Sequence, residues 1–314
     1  MLRTYRFLCA AVFVGALALS HEACGQAQNA ARGWNVGRSV VQNIGRMQGR
    51  SANLKPLTWV VSYDANDDIF VVDHPGAAPR KIADGNDPAL SPDGGIVAFC
   101  AVPTGSMQTE IMLVKADGSG LKRLTNLNAG ARAPVWSPDG HRIAFYAEVS
   151  KGEEILVLDF DKKSITPIAR GMYPRWSPDG KHIVFLRDPE DGGHKLSILV
   201  AKTDGGGELK VAATDSRFPS ASWSADGNEI VYSSDDRHRS SIFRVPAAGG
   251  KPEEIARDGN MEMYYPSLSP DGKSLAVVTD NDQFPSVEVF DLATHKSSRI
   301  AYGSEADVHW VREN

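Results

Sequence analysis

Five times along the chain, a short apolar stretch, a polar turn and a second apolar stretch follow one another in fixed register. The copies are PALSPDGGIVAFC (Pro88–Cys100), PVWSPDGHRIAFY (Pro134–Tyr146), PRWSPDGKHIVFL (Pro174–Leu186), ASWSADGNEIVYS (Ala221–Ser233) and PSLSPDGKSLAVV (Pro266–Val278). The turn aspartates Asp93, Asp139, Asp179, Asp226 and Asp271 set the origin. Three residues before them stand Leu90, Trp136, Trp176, Trp223 and Leu268; four after stand Val97, Ile143, Ile183, Ile230 and Leu275; six after stand Phe99, Phe145, Phe185, Tyr232 and Val277. Between those last two columns lie Ala98, Ala144, Val184, Val231 and Ala276. The second stretch is therefore apolar on both faces, bulky on one and small on the other, as in a strand buried on both sides. In the turn, proline presets the first central position of a type I turn, aspartate tolerates the second, and glycine accepts the left-handed conformation that closes a bulged hairpin.

The turns recur about every 40 to 47 residues, the period of propeller blades. Each period also holds a third apolar segment, such as IMLVK (Ile111–Lys115), ILVLD (Ile155–Asp159) or VEVFD (Val287–Asp291), and a more polar fourth, such as LKRLT (Leu121–Thr125) or PEEIA (Pro252–Ala256). Four strands per unit make one blade. Six third segments accompany five hairpins; the missing half is sought at the C-terminus, where Trp310 in ADVHWVREN stands as Trp136 does in its repeat. The expectation is an all-β, six-bladed β-propeller of four-stranded antiparallel blades. Its ring is closed by the C-terminal strand around Val308–Val311 pairing into the blade begun at Thr58, which leaves no open sheet edge.

The P-x-W-S-P-D-G-x-x-I-A-F repeat resembles the WD-repeat-like blades of the TolB-type propeller family, over roughly Leu57 to Asn314. About thirty residues stand between the leader and the propeller, too few for the α/β domain that precedes the propeller in TolB itself. The resemblance implies the fold and, by analogy, a binding module; propellers host many unrelated activities.

The N-terminus changes the cellular picture. Arg3 and Arg6 precede the apolar run Phe7–Leu19, which is too short to span a bilayer and reads as a signal peptide over residues 1–25. Export to the periplasm or beyond follows, with a lipoprotein through Cys24 as the alternative and no transmembrane segment after signal removal. Residues 26–56 read as a basic flexible arm, with Arg32, Arg38, Arg46, Arg50 and Lys55, no carboxylate, and Val40, Val41, Ile44 and Met47 at helical spacing; the propeller takes residues 57–314. Up to residue 62 the chain spends seven of its 34 basic and one of its 39 acidic residues, so the remainder carries 27 against 38. A propeller this acidic disfavours nucleic acid. Cys100 is the sole propeller cysteine and reads as a packed thiol.

Candidate chemistry lies in two loop sets of one face. Loops into the first strand of each repeat place Met172, Tyr173, Arg175, Phe218, Met263, Tyr264 and Tyr265 near the channel rim, a candidate binding site for an envelope protein or peptide. Loops between second and third strands are acidic. Asp64, Asn66 and Asp68 match the start of a calcium loop, but Ile69 stands where that loop needs glycine. His194 and His238 could join Asp191, Asp235 or Asp236 in a metal or acid–base site, or be unrelated surface residues. No G-x-S-x-G elbow, H-E-x-x-H or phosphate loop is present. The expected function is a monomeric, non-enzymatic binding module without cofactor or metal; the alternative is a metal-dependent propeller enzyme acting on oligosaccharides.

Overall fold

A computed structural model describes residues 37–42, 59–64, 68–72, 80–150, 152–189, 192–216, 219–236, 239–257, 262–269, 271–280, 286–302 and 306–307. They form six sheets, antiparallel but for one parallel pair in the first, the architecture of a six-bladed β-propeller. Blades 2 to 6 each have four strands in sequence order. Their first strands are Asn86–Leu90, Arg132–Trp136, Met172–Trp176, Ala221–Trp223 and Glu262–Leu268. Each pairs with the second strand of its hairpin, which pairs with the third and so on outward. First strands of successive blades also run beside one another, which places them innermost.

Blade 1 differs from expectation. The edge of Trp59–Asp64 is taken by Gly37–Gln42, an antiparallel partner, and Ala306–Asp307 pairs in parallel with that strand on the side away from Trp59–Asp64. The arm was expected to be a flexible linker with helical spacing, yet part of it is a strand. Adjacent β-branched Val40 and Val41 favour extended backbone, and the open edge of Trp59–Asp64 offers unpaired hydrogen-bonding groups. Val308–Val311 and Trp310 lie outside the described residues, so the expected closure at Thr58 is not shown.

The two faces of each second strand explain why the repeat exists. Ala98 of blade 2 lies in one core with Ile143 and Phe145 of blade 3. Ala144 of blade 3 joins Ile183 and Phe185 of blade 4, and Val184 of blade 4 joins Ile230 and Tyr232 of blade 5. Small residues face forward and bulky ones backward, so each blade's large side chains fill the space its predecessor leaves. Phe99, Phe145 and Phe185 are fully buried.

Three tryptophans add a polar tie. The indole Nε1 of Trp136 donates to the carbonyl of Ala89 (3.0 Å), that of Trp176 to Val135 (3.1 Å) and that of Trp223 to Arg175 (3.1 Å). Each acceptor lies on the first strand of the preceding blade. Across the same joint the Arg142 guanidinium of blade 3 lies 4.5 Å above the ring of Trp176 in blade 4.

Each turn is closed by its own serine and aspartate. The serine hydroxyl donates to the aspartate Oδ1 at 2.5–2.6 Å in all five copies. That same carboxylate accepts the backbone N–H two residues on, and the serine oxygen accepts the N–H five residues after itself. The turn glycines sit at φ +67° to +75°. The serine bond is the main cause that holds the carboxyls of Asp93, Asp179, Asp226 and Asp271 below the ordinary carboxylate range. At Asp139 burial pushes upward most, and the hydrogen bonds outweigh it.

Two outcomes follow. Trp176→Ala should cost about 3–5 kcal/mol in urea unfolding, and Trp176→Phe about 1 kcal/mol through the lost indole hydrogen bond to Val135. The turn aspartates have depressed folded pKa values, so their contribution is complete above the unfolded carboxylate pKa of about 3.9 and is lost as pH falls through the lower folded value. The urea midpoint should therefore drop below about pH 4, and Asp179→Asn should make that drop shallower.

Candidate binding face at the channel mouth

The loops entering each first strand and those joining second to third strands share one face of the propeller. At this end the first strands bulge. Pairing slips between Asn86 and Ala89, Arg132 and Val135, Met172 and Arg175, and Tyr264 and Ser267. One residue of each bulge is left-handed without being glycine: Asp87 (φ +48°), Ala133 (+48°), Tyr173 (+54°) and Tyr265 (+52°). A proline follows each of them, and having no N–H it leaves no donor unpaired at the irregularity. Such conformations cost about 1–3 kcal/mol each and persist where their surroundings impose them.

Part of that imposition comes from the neighbouring blade. The Asp87 carboxylate accepts the N–H of Ala133 at 3.4 Å, and the Ser220 hydroxyl oxygen accepts that of Tyr265 at 3.1 Å. All five residues stand six positions before their turn aspartate.

Blades 2, 3 and 4 bring a distinct group together. Arg132 is the cross-strand partner of Tyr146, and the Tyr146 ring meets that of Tyr173 edge-on at 5.4 Å. Burial, then Tyr173 and Asp87, push the Tyr146 phenol far above its ordinary pKa, so it remains a neutral hydroxyl. Beneath lies Cys100, fully buried, its thiol pushed well up by burial first and by Asp87 next. It is a packed thiol without thiolate character.

The rim residues expected from sequence divide. Met172, Tyr173, Arg175 and Tyr265 are half-buried along the first strands of blades 4 and 6. Met263 and Tyr264 are corrected to core: they are 0% and 4% exposed, Met263 among Val231, Ile242 and Val277. The bulge is the reason, since it breaks the alternation and turns only one of two adjacent tyrosines outward. Phe218 lies outside the described residues. Asp87, Arg132 and Tyr146 were missed, although counting back from the turn aspartates puts Asp87 level with Tyr173 and Arg132 level with Met172.

Between blades 3 and 4 the face dips into a depression of about 120 Å³ lined by Glu153, Arg170, Gly171, Met172, Arg187, Asp188 and Pro189. That holds one side chain; small-molecule pockets run to roughly 300–1,000 Å³. Its floor needs Gly171 (φ +147°), where a Cβ would lie 2.5 Å from the Leu186 carbonyl oxygen. Arg187 is pinned by Glu208 at 2.7 Å and by the Arg170 carbonyl at 2.8 Å.

Two acidic-loop carboxylates are tied into the protein. The Asp68 carboxylate meets Lys81 at 2.6 Å and Asp235 accepts from Ser240 at 2.6 Å. His194 is exposed, while Asn66, Asp191 and His238 lie outside the described residues. Among the described residues no three His, Cys, Asp or Glu side chains converge as metal ligands. Glu110 is a buried carboxylate that the sequence did not single out. It accepts from Thr125 Oγ1 (2.6 Å), Arg123 Nη2 (2.8 Å) and the N–H groups of Leu127 and Asn128 (both 2.9 Å). Burial pushes its pKa upward most strongly, yet these bonds together hold it below the ordinary range. Glu110 thereby fixes the loop that leads into Arg132.

Comparison with known proteins places these features in a family. The sequence profile of the TolB beta propeller domain matches residues 109–308. A probable dipeptidyl-peptidase 5 of Trichophyton verrucosum is 27% identical over 239 residues, covering 69% of this chain and 27% of that protein. Dipeptidyl-peptidase 5 of Porphyromonas gingivalis is 26% identical over 279 residues, covering 68% and 40% respectively. The chain thus spans well under half the length of these curated relatives. Among solved structures, a putative TolB from Agrobacterium tumefaciens has the same fold, with TM-score 0.58, 19% identity, and coverage of 74% of this chain and 88% of that one.

Replacing Glu110 by alanine should cost about 3 kcal/mol, the low end for breaking a buried ion pair because Arg123 still reaches water. Urea unfolding measures this, and Glu110→Gln, which keeps the acceptor shape, should cost less.

Proposed function

The chain belongs to the TolB β-propeller domain family, and from that premise we propose that it is an exported, non-enzymatic propeller that binds a protein or peptide over the channel mouth. The observation that carries this reading is the set of half-buried side chains at the mouth. Half-buried Met172, Tyr173 and Tyr265 stand on strained bulges or beside them, and Met172 also lines a depression too small for a cofactor. Aromatic side chains held rigidly on a shallow surface suit an extended polypeptide, since each ring offers large contact area at little entropic cost. The curated relatives are named as dipeptidyl-peptidases, which makes peptide the ligand class to try first. The basic start and apolar run of the N-terminus support export to the periplasm or cell exterior.

The test is a randomised hexapeptide array probed with the purified chain, with affinities of the best binders measured by fluorescence anisotropy. A Tyr173→Asn/Tyr265→Asn double variant keeps a residue tolerant of the left-handed conformation while removing both rings. It should lose about tenfold or more in affinity, of the order expected for losing aromatic anchors, with circular dichroism verifying that the variant stays folded. Equal binding by the variant would move the site off the channel mouth, and no binding of any peptide would reject the reading.

A further inference from the structure

We infer that Arg132 is the anchor for a carboxylate of the bound peptide, either its C-terminus or an acidic side chain. This rests on the peptide-binding reading and names the chemistry of its first contact.

The argument starts from how this acidic protein uses its arginines. Arg123, Arg142, Arg187, Arg244 and Arg257 each hold a carboxylate, and Arg80 holds the Ala116 carbonyl. Arg175 turns back on the Pro174 carbonyl at 3.3 Å. Among the described residues Arg132 and Arg170 make no such bond, and both are exposed on blade 3. In a chain of formal charge −5, a guanidinium that makes no ion pair of its own is available to a ligand's carboxylate, which it can grip with two parallel hydrogen bonds.

Arg132 differs from Arg170 in its setting. Arg170 ends the outermost strand of blade 3, whereas Arg132 opens the innermost one. The residue after Arg132 is Ala133, left-handed at φ +48°, with its N–H held by Asp87 of the preceding blade. That bond fixes the backbone from which the guanidinium springs. Across the strand pair stands Tyr146, in edge contact with Tyr173. These rings give the ligand's last residue an apolar wall and shield the ion pair from water, which strengthens it. The depression beside Met172 lies next along the face and can seat a neighbouring side chain.

The experiment uses three hexapeptide sets that share random uncharged residues: one with a free C-terminus, one C-terminally amidated, and one amidated with a single internal Glu. Anisotropy is measured with the wild-type chain, Arg132→Gln and Arg170→Gln, and melting temperatures verify folding. The wild type should bind carboxylate-bearing sets about tenfold more tightly than the plain amide. Arg132→Gln should abolish that preference, and Arg170→Gln should retain it. Preference for the first set alone assigns the C-terminus; preference for the Glu set alone assigns an acidic side chain. Equal binding of all sets by the wild type would overturn the carboxylate anchor while leaving peptide binding intact. A preference that survives in Arg132→Gln, or is lost in Arg170→Gln instead, would overturn the assignment to Arg132. Failure of every set to bind would overturn the peptide reading and the anchor with it.

Discussion

No blade of this protein can bury both of its faces alone, and the structure follows from how that problem is solved. The second strand of each hairpin carries Phe or Tyr and Ile or Val toward the preceding blade in blades 2 to 5, and only Ala or Val toward the next. The joint is asymmetric, so it can repeat without limit around an axis: every bulky face meets a small one. The indole bonds to the preceding first strand make the joint directional as well as apolar, because each reaches one particular carbonyl. Blade 6 departs from the scheme with Leu268 in place of tryptophan and Val277 in place of the aromatic ring. There the polar tie comes from the previous blade instead, where Ser222 Oγ donates to the Pro266 carbonyl at 2.5 Å.

The same packing creates the candidate site. A first strand must hold its neighbour through regular pairing along most of its length, yet at the channel mouth its alternation breaks. The bulge makes that change, and the left-handed residue followed by proline recurs at Asp87, Ala133, Tyr173 and Tyr265. Backbone strain at these four positions is imposed by the blades and supported by contacts such as Asp87 with the Ala133 N–H. Side chains at the mouth are thus mounted on a rigid frame, and what they recognise depends on identity at fixed places rather than on loop mobility.

Much of the frame was legible in the sequence because it is written several times. The columns of Phe, Ile and Trp, the four strands per unit and the left-handed turn glycines all follow from period and residue type. The serine-to-aspartate bond of the turn was not anticipated, since turn propensity explains Ser-Pro-Asp-Gly without it. Blade 1 was misread because Val40 and Val41 sit in a glycine-rich basic stretch whose spacing also fits a helix; pairing to Trp59–Asp64 is a non-local fact. Met263 and Tyr264 were placed on the rim because aromatic clustering near a loop suggested exposure, and a bulge that reverses alternation leaves no clear local mark. Arg132 and Asp87 escaped notice because charged residues in a loop are ordinarily solvated, and only the register across blades gives them neighbours.

That register separates architecture from recognition. Six positions after the turn aspartate blades 2 to 5 carry Phe99, Phe145, Phe185 and Tyr232, so geometry dictates the residue there. Six positions before it the same blades carry Asp87, Ala133, Tyr173 and Ser220, and seven before it Asn86, Arg132, Met172 and Pro219. In blades 2 to 4 the backbone of those mouth positions recurs, yet their side chains share neither size, charge nor polarity. Packing therefore does not select them. Among such positions the richest mixture falls on blades 2 to 4, where a carboxylate already committed to a backbone amide, an uncommitted guanidinium and two contacting tyrosines meet. A repeating frame can recognise an asymmetric ligand only by breaking its own symmetry, and this sector is where the chain does so.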